Sequence, residues 1–261
     1  MIEGRLSIMI IRETIDSFIM IKQHDHAFLS GDIMKHVKPT LLESDKFFDD
    51  LILAAYQHDR SWTKLDSTPI WNDREKKPFT FSDYPLLPKM ALYKIGLNEI
   101  ENMNPYSCLL CSLHFCSFFS QSTNQDCLSF LKEEADRQWH IKKRLPEIQD
   151  QLLLQHFRLL QFSDDLSLYL CLNEPGAGIA NEHPWFTNGF KHTEMFHPGN
   201  QPLKAQWLDA EHVSLDSFPF IDDFQVTLPY KLVSKQEIDD SGIAEAYENS
   251  DLEKQNIVLK K

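Results

Sequence analysis

The 261-residue sequence has only 8 glycines, and they form no phosphate-cradling loop or dinucleotide fingerprint; a serine elbow is missing as well. Those absences remove the commonest sequence-readable routes to nucleotide binding and serine hydrolysis. No segment has the ~18 uninterrupted apolar residues of a membrane span. Positive charge is scarce: 26 Lys and Arg against 39 Asp and Glu give a net charge of -13. A nucleic-acid backbone or an anionic membrane attracts basic surfaces, so neither is expected as a partner. A small anionic substrate held at a local cation stays compatible with that charge.

Cysteine is sparse and odd in number. Cys108, Cys111, Cys116, Cys127 and Cys171 sit in apolar runs, a usage that fits reduced thiols and a cytoplasmic location better than a disulfide framework. Cys108-x-x-Cys111-x-x-His114 has no matching second pair to complete a four-ligand zinc site, so these thiols read as small core hydrophobes. The first apolar run lacks a signal-peptide cleavage site. Ile2-Glu3-Gly4-Arg5 resembles an engineered protease-cleavage linker, which makes residues 1–8 an expression scar and Met9 a natural start.

The remaining composition, 42% hydrophobic and 25% charged, is that of a globular protein. Ser7–Glu13 and Ser17–Gln23 read as a β-hairpin around Thr14-Ile15-Asp16. Helical rhythm follows from His24 to Val37. Thr40-Leu41-Leu42-Glu43 has capping-box spacing and opens a second helix, along which Phe48, Leu51, Ile52, Ala55, His58 and Asp59 share one face. Residues 61–88, with Pro69, Pro78, Pro85 and Pro88, form a long loop of the kind that often covers a site, and Trp62 is placed to wall a pocket. Helices are expected over 90–100, over 106–119 after the Asn104-Pro105 start, over 125–145 with a stripe of Leu128, Leu131, Ala135 and Trp139, and over 147–172. Residues 173–202 are loop, and 206–234 supply two or three strands that pair with the N-terminal hairpin. Residues 235–261 form a polar tail, a surface helix or disordered. The expected fold is therefore mainly α: one domain over 9–234, with a helical core over 24–172 and a small antiparallel sheet built from both ends.

Chemistry-bearing residues recur on the apolar helices: His26, the adjacent pair His58-Asp59, His114 and Asp164. Two ligand-type side chains ending a buried helix are costly to desolvate unless an ion offsets them. Two imidazoles and two carboxylates suit a divalent transition metal such as Mn, Fe, Zn or Ni. Such an ion lowers the pKa of a bound water and neutralises a phosphoryl oxygen. His114, His24 or a Lys or Arg would then act as proton donor or anion clamp. His24 lies as close to its helix start as His26, and is the second choice for the ligand. Asp25 reads as a helix cap, Asp66 and Asp83 as turn formers, and His183, His192 and His197 as surface residues.

These residues resemble the HD-domain superfamily of metal-dependent phosphohydrolases. Its pattern is a His on a first helix, a His-Asp doublet ending the second and a later Asp in a helix. Ser30-Gly31 follows His26 by one turn, Ala54-Ala55-Tyr56-Gln57 leads into His58-Asp59, and Ser163-Asp164-Asp165-Leu166 matches the late motif in a register that selects Asp164. Arg60-Ser61-Trp62 stands where the well-studied members have Ile-Gly. The chain resembles still more closely a bacterial domain-of-unknown-function family with Gln-His-Asp-His-Ala, His-Asp-x-x-Trp, Ser-Leu-His and Asp-x-Leu-Ser-Leu-Tyr-Leu-Cys motifs. The resemblance implies an HD-type helical bundle, a metal held by His26, His58, Asp59 and Asp164, and hydrolysis of a small phosphoester. Two alternatives stand beside it: a di-iron oxygenase drawing on His114, His140 and His156, and a non-catalytic binding protein.

Overall fold

The computed structural model describes residues 9–261; the expected cleavage linker over 1–8 lies outside them. The chain opens with β1 (Met9–Glu13) and β2 (Ser17–Lys22), the expected hairpin, with Met9 opposite Lys22 and Glu13 opposite Phe18. Six helices follow: α1 (Gln23–Met34), α2 (Phe48–Gln57), α3 (Leu86–Met103), α4 (Pro105–Phe119), α5 (Gln125–Arg144) and α6 (Asp150–Leu172). A short hairpin, β3 (Trp71–Asn72) and β4 (Lys77–Pro78), interrupts the loop between α2 and α3. After α6 come β5 (Ala205–Trp207), β6 (His212–Leu215), β7 (Phe224–Ser234), α7 (Lys235–Ser241), α8 (Ile243–Asn249) and β8 (Leu252–Lys260). No helix among the described residues is long and apolar enough to cross a membrane.

The almost wholly apolar α4 is the centre of the bundle and packs against α2, α3, α5 and α6, while α1 lies between α2, α6 and the sheet. Asn104 starts α4 as its composition predicts: the side chain accepts from Ser107 N at 2.9 Å and Pro105 follows. The six-stranded sheet runs β1-β2-β7-β8-β6-β5. Period-two alternation gives it two buried faces near its β1 edge. Ile10, Ile21, Val226 and Leu228 face the bundle, whereas Met9, Phe18, Met20 and Val233 pack with Ile238, Ala246 and Tyr247 of α7 and α8.

The fold is mainly α with a small sheet made by both ends of the chain, and four details differ from expectation. The polar stretch 235–261 is neither a lone surface helix nor disordered. Its α7 and α8 cover the outer face of the sheet, and β8 inserts between β7 and β6. Only Ile257 and Leu259 of β8 are buried, so the strand is held largely by its backbone ladder to β7, from Phe224–Leu259 to Lys231–Leu252. Because β8 runs parallel to β6, the sheet is mixed and not purely antiparallel. No α-helix starts at Thr40, where Pro39–Leu41 make only a single 3-10 turn: Gln155 Nε2 donates to Leu41 O and Gln155 Oε1 accepts from Glu43 N, both at 2.9 Å, replacing the bonds an α-helix would make. The buried face of α5 is Cys127, Phe130, Glu134 and Ile141, with Leu128 and Trp139 43% and 53% exposed. A glutamate on the buried face, satisfied by Ser112 Oγ at 2.8 Å and by Arg137, defeats a count of apolar residues.

Small residues set how closely α1 approaches its neighbours. Ser30 Oγ donates to Ser163 Oγ of α6 at 2.9 Å, and Gly31 lies against the ring of Tyr56 on α2. A Cβ at position 31 would overlap that ring. Gly31→Ala is therefore expected to destabilise the protein by about 1–3 kcal/mol through overpacking. A melting-temperature loss of several degrees checks it, and an unchanged melt would show that α1 and α2 are not locked at this contact.

Candidate metal centre

Three helices bring the expected residues to one point. His26 lies in the first turn of α1, His58 caps the C-terminus of α2 with Asp59 next in chain, and Asp164 lies two-thirds along α6. His26 Nε2 is 2.9 Å from Asp164 Oδ1, His58 Nε2 is 3.2 Å from both His26 Nε2 and Asp164 Oδ1, and Asp59 Oδ2 is 3.7 and 3.8 Å from the two imidazoles. Donor atoms about 2.0–2.2 Å from a common ion stand roughly 2.8–3.6 Å from one another, from octahedral to tetrahedral geometry. The closest three pairs fall in or beside that range, and Asp59 lies slightly outside it. Among the described residues His26, His58 and Asp164 are the one group of such atoms close enough to share an ion.

The tautomers are fixed from behind. His58 Nδ1 is 2.7 Å from the Ala55 carbonyl, an acceptor only, so this nitrogen carries hydrogen. Ser167 Oγ donates its hydrogen to Asp164 O at 2.8 Å and must therefore accept from His26 Nδ1, also at 2.8 Å. Both neutral rings thus turn Nε2 lone pairs into the space that Asp164 Oδ1 already occupies. Acceptors gathered without a donor repel unless a proton or a cation sits among them. Such support of a ligating imidazole through its other nitrogen is what a metal site requires.

The charges respond to this crowding. Burial alone would depress the His58 imidazolium, but the carboxylates of Asp164 and Asp59 overcome it and carry it up to about 9. Burial raises Asp59 against the pull of both histidines. Burial alone would raise Asp164, but the positive charge of His58 and the hydrogen bond from His114 overcome it and hold the carboxylate well below its usual range.

His114, buried on α4, sits with Nε2 3.3 Å from Asp164 Oδ2 and its ring edge to face with that of His58 at 5.6 Å, and its Nδ1 has no partner. The cluster floors a cavity of about 370 Å3 whose walls include Trp62, Tyr93, Phe118 and Lys89, roofed where Phe81 and Trp185 meet edge to face at 6.0 Å. Trp62 walls the pocket, as its position after the doublet suggests. His24 is not brought in: it is half-buried on α1 with its ring against Phe28 and does not line the cavity. His140 bonds Asp136 O within α5, and His156 bonds Tyr106, so neither reaches the cluster. The thiols of Cys108 and Cys111 donate to Leu97 O and Ala54 O inside the core.

Several residues of the site carry weight that their sequence context hides. Asp66 is buried, not a surface turn former, and accepts from Gln23 N and His24 N at 3.2 and 2.8 Å. It thereby caps α1 from across the fold, the role expected of Asp25. Asp165 lines the cavity beside Asp164, and burial followed by the Asp164 charge pushes it up to about 8. Lys89 projects into the same space, anchored on Phe81 O at 2.7 Å. Only Ser167, three residues after Asp164 on the same helical face, gave a readable sign in the motif.

Fold and cluster together define an α+β protein with a buried two-histidine, two-aspartate centre beneath an aromatic cavity. The chain belongs to the family described as a protein of unknown function (DUF3891), which it matches over residues 9–235. No match was found among curated proteins or solved structures. Every residue of the centre lies inside the matched span, whereas all but the first residue of α7, together with α8 and β8, lies beyond it.

The raised His58 has a consequence for the metal-free protein. Its folded value of about 9 exceeds the ordinary 6.5, so its stabilisation is complete below pH 6.5 and is lost as pH rises through about 9. After chelation, the melting temperature should fall across that interval, and His58→Gln should flatten the fall. A limb of equal size in the variant would place the titration elsewhere.

Proposed function

We propose that the protein is a metal-dependent hydrolase acting on a phosphoester of a small anionic metabolite, on an HD-type scaffold. The observation that supports it most is the pair of imidazoles locked through Nδ1 so that both Nε2 atoms converge on Asp164 Oδ1. His26, His58, Asp59 and Asp164 would hold one divalent cation, of Mn, Fe, Zn or Ni type; the donor set fits it, as does the spacing of His26, His58 and Asp164, with Asp59 the more distant fourth ligand. Bound there, the ion would supply an activated water at neutral pH and neutralise charge on a phosphoryl oxygen.

The chain's own residues supply the rest. The Ala55 carbonyl and Ser167 hold the ligand rings in register. His114 fixes the second oxygen of Asp164, which leaves the first free to face the ion. Asp165, protonated at neutral pH because burial and Asp164 push it up to about 8, is placed to give the leaving group its proton. Trp62, Tyr93 and Phe118 keep water from the remainder of the cavity, and Lys89 adds a cation to a molecule that is otherwise strongly acidic. The five thiols are all unpaired, which suits the cytoplasm. An oxygenase with two irons would draw on more histidines, and of its candidates His114 alone lies near the cluster.

Metal analysis of the purified, metal-supplemented protein tests the reading. One transition-metal ion per chain is expected, falling to background in the His58→Ala, Asp59→Ala double variant. Wild type that retains no transition metal ends the hydrolase proposal. With activity found on a phosphoester panel, Asp165→Asn should lower kcat by about 100–10,000-fold, with the basic limb of its pH profile removed.

A further inference from the structure

A second recess, of about 470 Å3, opens on the opposite side of Phe118 from the aromatic cavity and shares with it His114, Asp164 and Asp165. Its outer wall is basic. Arg158 stands on α6 six residues before Asp164, roughly 9 Å of helix rise away. Gln161 Oε1 accepts from the Arg158 guanidinium at 2.7 Å and holds it in place. Lys191 and His192 reach the same recess from the loop after α6.

That loop is built to present them. Phe190 is buried and its N–H donates to Leu203 O at 2.8 Å; Thr193 is fully buried, donates to Phe190 O at 2.7 Å and accepts from Leu203 N at 2.8 Å. Between these anchors Lys191 and His192 bulge outward, with His192 at φ 62°. A histidine in the left-handed region costs on the order of 1 kcal/mol and persists where its surroundings demand it. Partial burial and then the charges of Arg158 and Lys191 depress the His192 imidazolium, with Glu194 opposing, which shows that the three basic groups share one field.

In a chain of net charge -13, several arginines find acids: Arg60 pairs with Glu99, Arg137 with Glu101 and Glu134, and Arg144 with Glu101, while Arg12 donates to the Asn173 carbonyl. Among the described residues neither Arg158 nor Lys191 forms an ion pair. Unneutralised cations grouped at a concave surface beside the candidate metal centre call for an anion. We propose that Arg158, Lys191 and His192 form an anion-binding subsite that takes a second anionic group, phosphate or carboxylate, of the molecule whose phosphoester lies at the ion cluster. In that last clause the inference rests on the hydrolase reading. The substrate is then a small molecule with two anionic ends, one at the ion and the other several ångströms along α6.

Calorimetric titration of inorganic phosphate into the chelator-treated full chain tests the subsite apart from the metal. Arg158→Gln and Lys191→Gln should each weaken phosphate binding by about tenfold, the loss of one charge-assisted contact. His58→Ala should leave it within about twofold. Lys191 is exposed, so its variant reports even if Arg158→Gln folds poorly. Acetate in the same titration separates the sources: much weaker binding than phosphate assigns a phosphate group and equal binding a carboxylate, and either supports the subsite. Phosphate affinity untouched by both variants, or abolished by His58→Ala, overturns it. Metal content measured in parallel keeps the two readings apart. Retained metal with no subsite leaves the hydrolase standing, and a subsite without metal leaves only the anion site.

Discussion

Two imidazole nitrogens 3.2 Å apart, with lone pairs directed into one space beside a carboxylate oxygen, impose the condition that the rest of the molecule satisfies. Left alone they repel, and burial strengthens the repulsion because little water screens it. A proton relieves the conflict in the metal-free protein, which is why His58 holds its charge against burial. A divalent cation, as proposed for this site, would relieve it more completely by engaging every acceptor at once, and would displace that proton in doing so. Under the proposed function the cluster is therefore a place where metal and proton would compete.

Bringing three helices to such a point demands close and exact contacts elsewhere. α1 is weakly amphipathic and has no side-chain cap of its own, so its start is held by Asp66 from the distant loop. One turn after His26, Ser30 and Gly31 let α6 and α2 approach, and Ser167 ties the His26 ring to the Asp164 backbone. These small or polar residues look unremarkable in a helix composition. At Gly31 a Cβ would overlap the Tyr56 ring, and Ser167 supplies the acceptor that fixes the His26 tautomer.

The same physics decides what could be read from the sequence. His26, His58 and Asp164 were legible because ligand-type residues on apolar helical faces are costly, and a costly residue on a buried face asks for a reason. Tertiary bonds are invisible in that pattern. Asp66 looked like a turn former because its partners, Gln23 N and His24 N, are more than forty residues away. Gln155 replaced the helix expected at Thr40 for a similar reason, by bonding Leu41 and Glu43 from α6. β8 is polar along most of its length and owes its place to a backbone ladder, to which hydropathy is blind. Glu134, hydrogen-bonded on the buried face of α5, shifted that helix's register away from Leu128 and Trp139.

A purely structural role for the cluster fits poorly with its setting. Buried ionisable groups that serve only to hold helices together are commonly no better for stability than well-packed hydrophobic residues of similar volume, and often worse. The neighbouring layers of this bundle are apolar: Leu51, Ala54 and Ala55 on α2, Leu109 and Leu110 on α4, Leu166 and Leu170 on α6. The chain thus packs these helices with hydrophobes wherever packing is the sole requirement. Elsewhere in the bundle the buried polar groups stand singly, Glu134 on Ser112 and Arg137, and His156 on Tyr106, whereas the titratable cluster gathers at the level where an aromatic cavity and a basic recess both open onto the same two aspartates. A stability role explains neither opening, whereas the proposed substrate, bound across Asp164 with its charged end towards Arg158, would use both.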